Sequence, residues 1–157
     1  MHYLIKGRSI TGIIHILNQT PIDWFSKRQS QVETATYGSE FMVARQATER
    51  LIDLCYTFRS FGVPLDGEAW LFGDNKSVVD SASIPHFKLH KRHNALSFHR
   101  VREAIAASIV RFYHIDSGEN AADMLSKHWG YQQVWPVLQP LLFWPGDTAD
   151  AKPKSQD

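Results

Sequence analysis

The spacing of apolar residues changes along the chain and predicts the order of its secondary-structure elements. Residues 10–17 are rich in β-branched side chains, and the turn-forming residues 18–21 separate them from the apolar stretch 22–25. This arrangement predicts two antiparallel strands joined by a tight connection. Apolar side chains then recur at every third or fourth position over residues 40–58, which predicts a long helix that ends before Pro64.

The second half of the chain continues with shorter segments. Residues 69–72 form a short apolar run typical of a buried strand, and residues 75–83 and 92–107 have helical spacing. Residues 108–115 predict the last strand, and residues 121–127 predict a helix after it. The resulting order is strand, strand, helix, strand, helix, helix, strand, helix, which is typical of an α/β domain with a mixed sheet.

The pattern also predicts how the chain divides. Residues 1–128 are expected to form one domain. Residues 129–145 are rich in Trp, Pro and Leu, and we expect this aromatic extension to pack on the domain. Residues 146–157 are polar without periodicity, which predicts a disordered tail.

Composition narrows the class of protein only slightly. The chain has 157 residues, 43% hydrophobic and 21% charged, and a formal net charge of +1. Its one cysteine, Cys55, excludes a disulfide framework or a cysteine-based zinc site within the chain. The apolar runs are too short for a signal peptide or a transmembrane helix. We therefore expect an intracellular protein, cytoplasmic or nuclear, that does not bind membranes.

Three acidic residues stand at or beside the ends of predicted elements. Glu40 lies in the first turns of the long helix, Asp74 directly follows the buried strand, and Asp123 lies near the start of the helix after the last strand. Sites in α/β sheets form where strands end, so the three carboxylates are candidates for one crevice. Carboxylates are hard ligands suited to Mg²⁺ or Mn²⁺, and two such ions can clamp a phosphodiester. The alternative is that they are ordinary surface acids.

Several stretches resemble motifs of the ribonuclease H domain of copia-type retrotransposon polyproteins, in that family's order and spacing. They are residues 8–12, 22–29, 32–41, 92–103 and 120–127, together with Gly73-Asp74-Asn75-Lys76-Ser77. The last of these resembles the family's Asp-Asn-x-Ser motif, and residues 120–127 resemble its Asn-x-Ala-Asp-x-Leu-Thr-Lys motif. Each motif alone is weakly specific, whereas the ordered set across residues 8–128 is specific.

The resemblance implies a ribonuclease H-like fold, in which helices flank a mixed sheet. It implies cleavage of the RNA strand of an RNA–DNA hybrid with two Mg²⁺ (or Mn²⁺) ions. By motif, Glu40 corresponds to the helix carboxylate, Asp74 to the strand-end carboxylate and Asp123 to the late carboxylate. All three would be metal ligands and catalytic residues.

The sequence departs from the family at its beginning. The family's first strand is central in the sheet and carries an Asp that bridges both metals, whereas here no Asp or Glu precedes Asp23. Residues 3–5 would supply at most a stub of that strand. We therefore expect weakened metal binding and a truncated domain that is inactive alone. The alternatives are a gene model that starts at the wrong methionine, or the end of a longer polyprotein whose upstream reverse transcriptase portion supplies the strand.

A basic stretch lies between two of the site carboxylates in sequence. Residues 85–102 contain no acid and interleave cationic side chains with histidines, whose spacing matches no zinc pattern. Such a patch would neutralise phosphates and bind nucleic acid without sequence preference. The expected contacts are Lys76, Lys88, Lys91, Arg92, Arg100 and Arg102.

Other interpretations of the chain remain open from sequence alone. The basic stretch would equally be a solvated helix face. A second function is a non-catalytic nucleic-acid-binding remnant that uses residues 88–102. A third interpretation is a fragment that does not fold stably by itself.

Overall fold

The computed structural model describes residues 9–30, 36–87, 89 and 95–142. The predicted strand stub at residues 3–5, the predicted tail 146–157 and the candidate contacts Lys88, Lys91 and Arg92 lie outside the described residues.

The chain begins, over the described part, with a tight hairpin. Strand β1 (Ile10–Leu17) pairs antiparallel with strand β2 (Thr20–Arg28), as the β-branched pattern predicts. Asn18 and Gln19 form the two-residue turn with φ of 48° and 68°. Two consecutive positive φ values are the geometry of a type I′ turn, whose twist matches that of the flanking strands.

The remaining elements follow in the predicted order, with one helix added at the end. They are α1 (Thr36–Ser60), β3 (Ala69–Gly73), α2 (Lys76–Ser83), α3 (Ala95–Ala106), β4 (Val110–His114), α4 (Asp123–Ser126) and α5 (Tyr131–Leu142). None of these described helices is long and apolar enough to cross a bilayer. The predicted element order is therefore confirmed, and α5 adds a helix within the aromatic extension, where it contacts β2.

The described strands do not form one continuous sheet. Over the described ranges there are two separate two-stranded sheets, the antiparallel pair β1–β2 and the parallel pair β3–β4. No described strand lies between β1 and β3, so these neighbouring edges are not bridged by backbone hydrogen bonds. The structure is a mixed α/β arrangement, and the ribonuclease H-like sheet remains a prediction.

The main hydrophobic core lies between the parallel pair and helices α1, α2 and α3. Its central side chains are Phe41, Val78, Phe98, Val101 and Phe112, all at most 8% exposed. Phe41 packs against Phe98 with ring centroids 5.8 Å apart, which joins α1 to α3. Burying these large side chains supplies the main stabilisation of this part of the molecule.

The hairpin is held in place from both sides. On α1, Arg50 donates to both carboxylate oxygens of Asp23 at 3.1 Å and lies over the ring of Phe25. On α4, the carbonyl oxygen of Leu125 accepts a hydrogen bond of 2.6 Å from the Ser26 hydroxyl. The hairpin therefore lies between α1 and α4.

Candidate functional site

Asp74 occupies the end of β3, where the chain turns into α2. Asn75 caps α2 by accepting a hydrogen bond from the backbone N–H of Val78 at 3.4 Å, which fixes the turn that presents Asp74. His114 donates from Nε2 to the backbone carbonyl of Asp74 at 3.1 Å, and the Ser117 hydroxyl donates to its Oδ2 at 3.3 Å. The ends of both parallel strands thus fix the position of this carboxylate.

Glu40 lies half-buried on α1, facing the same region. The pKa of its carboxyl is raised from 4.5 to about 7, chiefly because burial disfavours the charged form; the nearby carboxylates of Asp74 and Asp123 also raise it, while Lys127 opposes the rise. Three acids that are far apart in sequence therefore influence one another electrostatically. The sequence-based expectation that they share one crevice agrees with this coupling.

The backbone ahead of Glu40 is anchored by a buried amide. Gln29 follows β2, and its side-chain nitrogen donates to the Thr11 hydroxyl and to the Ser39 carbonyl, each at 3.2 Å. Gln29 is only 4% exposed. It ties the end of the hairpin to the first turns of α1, next to Glu40.

Asp123 begins α4 and is almost fully buried. The carboxylate pairs with the ammonium group of Lys127 at 2.5 Å. This hydrogen bond, together with the neighbouring charges of Asp123, Asp74 and Glu40, raises the pKa of Lys127 in spite of partial burial. One of the three candidate carboxylates is therefore neutralised by a cation of the protein itself.

The three carboxylates lie along a large groove between the two sheets. The groove has a volume of about 1170 Å³, and β1, β3 and α1 line it. A smaller depression of about 260 Å³ beside it is lined by Glu40, Asp74 and the first residues of α2, including Lys76. The candidate site is thus open to solvent.

The arrangement does not fit a two-metal centre. Among the side chains that the structure describes, no three His, Cys, Asp or Glu residues are placed to hold a metal ion. Electrostatic coupling acts over longer distances than metal ligation, so the coupling of Glu40 to both aspartates and the lack of a ligand cluster are compatible. Glu40, Asp74 and Asp123 remain the candidate ligands, although they do not form such a group.

The predicted nucleic-acid contacts differ in their surroundings. Lys76 is exposed beside the carboxylates. Arg100 is 41% exposed and lies 3.5 Å from Glu103. Arg102 instead donates to backbone carbonyls at the end of α2, at 2.7 to 3.0 Å, and stacks on Phe98. Arg102 therefore connects α3 to the end of α2. Binding of nucleic acid by any of these side chains stays a prediction.

Several residues at or near the site were missed by sequence reasoning. Lys127 stands four positions after Asp123, a spacing that pairs charges on a helix, so the pattern contained a signal for it. His15 faces Asp23 across the hairpin and contacts it at 2.9 Å, which the predicted strand register would have indicated. Gln29 and Ser117 gave no recognisable signal, because their partners are distant in sequence.

Comparison with curated proteins finds distant relatives of the chain. The Retrovirus-related Pol polyprotein from transposon RE2 of Arabidopsis thaliana is 26% identical over 119 residues, which cover 76% of this chain and 8% of the polyprotein. The chain is a distant relative of copia-type retrotransposon Pol polyproteins. The polyprotein from transposon RE1 of the same plant is 24% identical over 119 residues, and that from transposon TNT 1-94 of Nicotiana tabacum is 26% identical over 120.

These copia-type relatives are much longer than the chain. It spans less than a tenth of each polyprotein, with 8% and 9% of their lengths covered. No protein-family model matches the chain, and no solved structure matches it significantly.

Proposed function

We propose that the chain is the ribonuclease H portion of a copia-type Pol polyprotein, which ancestrally cleaved the RNA strand of RNA–DNA hybrids by two-metal-ion hydrolysis. The observation that carries the proposal is that Asp74 and Asp123, on two separate elements, act electrostatically on Glu40 of a third element and help to raise its pKa. Several clustered carboxylates are what hydrolysis with two hard divalent ions requires.

The same coupling supports a site that is incomplete in this chain. Three acids in one site repel one another unless a cation neutralises them. On Asp123 that cation is the ammonium group of Lys127. A divalent ion would have to displace the lysine and draw the carboxylates closer together. We therefore propose that the chain alone binds Mg²⁺ or Mn²⁺ weakly and does not cleave hybrids at an appreciable rate.

Paramagnetic Mn²⁺ tests the metal assignment without relying on activity. Under the proposal, millimolar Mn²⁺ first broadens the amide NMR signals around Glu40, Asp74 and Asp123, and Asp74→Asn weakens this effect at least several-fold. Asp53→Asn is the matched control, since Asp53 is an exposed acid on α1 away from the groove. Broadening centred elsewhere, or unchanged by Asp74→Asn, contradicts the assignment.

A second candidate function is non-catalytic binding of nucleic acid. It is favoured by the exposed Lys76 beside the carboxylates and by the exposure of Arg100. Binding that depends on phosphate contacts weakens steeply with salt. Measured affinity for hybrid that falls with salt, and falls further in a Lys76→Gln, Arg100→Gln double variant, supports this function. Affinity that is independent of salt counts against it.

A further inference from the structure

The parallel pair β3–β4 has one face in the core and one face turned to solvent. Successive side chains of a strand point to opposite faces of the sheet. Val110 and Phe112 are buried in the core, so the alternate positions of both strands lie on the other side. That outer face carries Trp70 and Phe72 of β3, in register with Arg111 and Tyr113 of β4.

Three of the four side chains on this outer face are exposed aromatic rings. Trp70 is 69% exposed, Phe72 51% and Tyr113 37%. The described helices that pack on β3 and β4, namely α1, α2 and α3, do so from the core side. Contiguous exposed apolar surface of this kind marks a binding site more often than an isolated exposed residue does.

The rings of the outer face hold one another in fixed orientations. Tyr113 lies between the other two, with its ring centroid 6.2 Å from that of Trp70 and 5.8 Å from that of Phe72. The first pair meets edge to face at 76°, and the second is stacked at 29°. Rings that are already oriented lose little conformational freedom when a flat ligand covers them.

Arg111 adds a cation to the outer face without giving it a large net charge. Its side chain is 60% exposed, and its Nε donates to Glu68 at 2.7 Å. A guanidinium group has five N–H donors and a flat surface that stacks on other rings. The Glu68 carboxylate offsets the positive charge, so a ligand of this face must be held mainly by stacking.

Unpaired nucleobases match this combination of side chains. Proteins read single strands by stacking bases on aromatic rings and on Arg guanidinium planes, and a sheet face with a few aromatic residues stacks about two or three bases. An aliphatic ligand would not need flat rings in three of the four positions. In a duplex the faces of the bases are already stacked on one another, which favours a single strand as the ligand.

The outer face is continuous with the candidate nuclease site. Trp70, Phe72 and Asp74 follow one another at alternate positions along β3 and all line the groove. His114, directly after Tyr113, contacts the Asp74 carbonyl at 3.1 Å. Two residues of a strand span about 6.6 Å, so a base stacked on Phe72 would lie close to the carboxylates.

We propose that the outer face of β3–β4 binds single-stranded nucleic acid by stacking about two or three bases on Trp70, Phe72 and Tyr113. The choice of nucleic acid as the ligand rests on the proposed function, but the binding requires neither the carboxylates nor a metal ion. The site would hold an unpaired end of a hybrid beside Asp74. It is separate from the Lys76 and Arg100 contacts of the second candidate function.

Stacking and phosphate contacts predict different dependences on salt. Each stacked base contributes about five- to 150-fold in affinity. Each phosphate contact to a single strand adds about −0.7 to the slope of log affinity against log salt concentration. Because Arg111 is the cation of the outer face, we expect a slope of about −1 or shallower. A much steeper slope overturns stacking as the main source of affinity.

An oligonucleotide without bases separates the two contributions. A fluorescein-labelled thymidine oligonucleotide is titrated with the full chain in EDTA, and fluorescence anisotropy reports binding. The control is an abasic oligonucleotide of the same length and charge. Stacking predicts that the abasic strand binds at least about tenfold more weakly. Equal affinity for the two strands overturns the proposal.

Leucine substitutions locate the site, because leucine keeps apolar bulk and removes the ring. We expect Trp70→Leu and Tyr113→Leu each to weaken binding of the thymidine strand by about tenfold or more, and Trp70→Phe to retain most of it. Phe61→Leu is the control, since Phe61 is 76% exposed outside this face. Thermal unfolding checks that each variant is folded. Unchanged affinity in both folded leucine variants overturns the proposal.

Two competing occupants of the outer face lead to a different result. If residues 143–157 or a second copy cover it, the full chain does not bind the thymidine strand, and the proposal is overturned. Sedimentation identifies the second copy as a dimer that Trp70→Leu dissociates. The metal assignment is tested separately by Mn²⁺ broadening, so a failure of stacking in EDTA is distinguishable from a failure of the nuclease assignment.

Discussion

Glu40 is the residue at which charge and stability are most directly linked. Its ionised form is penalised in the folded protein, because burial and two nearby aspartates raise its pKa from 4.5 to about 7. The folded state therefore binds more protons than the unfolded state between these values. Stability is highest below the ordinary value and falls as the pH rises through about 7.

Replacing this carboxyl by an amide should remove the free-energy cost of holding an ionised Glu40 in the folded protein. We expect Glu40→Gln to increase the free energy of unfolding at pH 8 by about 1–2 kcal/mol, after allowance for solvent screening, and by much less at pH 4.5. Urea unfolding at both pH values measures the difference. Glu103→Gln, at an exposed position, is the control, and an equal effect of Glu40→Gln at both pH values would contradict the account.

Gly12 sets how closely α4 approaches the hairpin. A Cβ atom at this position would lie 2.5 Å from the Ala122 carbonyl oxygen and 3.2 Å from Leu125 Cβ. Because Ala122 belongs to the backbone just before Asp123, moving it would also move the candidate site.

We expect Gly12→Ala to lower the free energy of unfolding by about 1–3 kcal/mol, since overpacking displaces backbone. Thermal unfolding measures this change. Gly118→Ala is a matched control, because a Cβ at Gly118 meets nothing within 4 Å. Equal melting temperatures for the two variants would show that α4 does not depend on this close approach.

At the scale of elements, local sequence patterns predicted most of the helices and strands that the structure shows. Alternation and helical spacing act over a few residues, so the hairpin, α1 and β3 were predicted close to their observed bounds. The resemblance predicts a sheet whose central strand is missing, and the described residues form two separate sheets. The partners of Arg102 and Gln29 escaped prediction, because they are distant in sequence.

The hairpin turn offers a test of local conformation. Gln19 has a φ of 68°, in the left-handed region that side chains disfavour. Gln19→Gly should raise the free energy of unfolding by up to about 1 kcal/mol, because glycine adopts this conformation freely and Asn-Gly favours a type I′ turn. Asn18→Gly should raise the free energy of unfolding by less, since Asn tolerates the left-handed region. Chemical unfolding compares them, and a larger gain at Asn18 would contradict this reasoning.

At the scale of the whole molecule, the groove and the carboxylates are parts of one arrangement. Glu40, Asp74 and Asp123 line the same groove that separates the two sheets. The sequence identified these three acids individually, and the structure brings them into electrostatic contact. The sequence could not indicate how far apart the three acids lie, because their separation depends on how the two sheets are placed with respect to each other.

Hydrolysis of a labelled RNA–DNA hybrid in Mg²⁺ tests the central claim, an incomplete nuclease site, most directly. The chain and its Asp74→Asn variant are assayed side by side. An incomplete site predicts no cleavage above background by either protein. Robust cleavage by the chain that Asp74→Asn abolishes would contradict this claim.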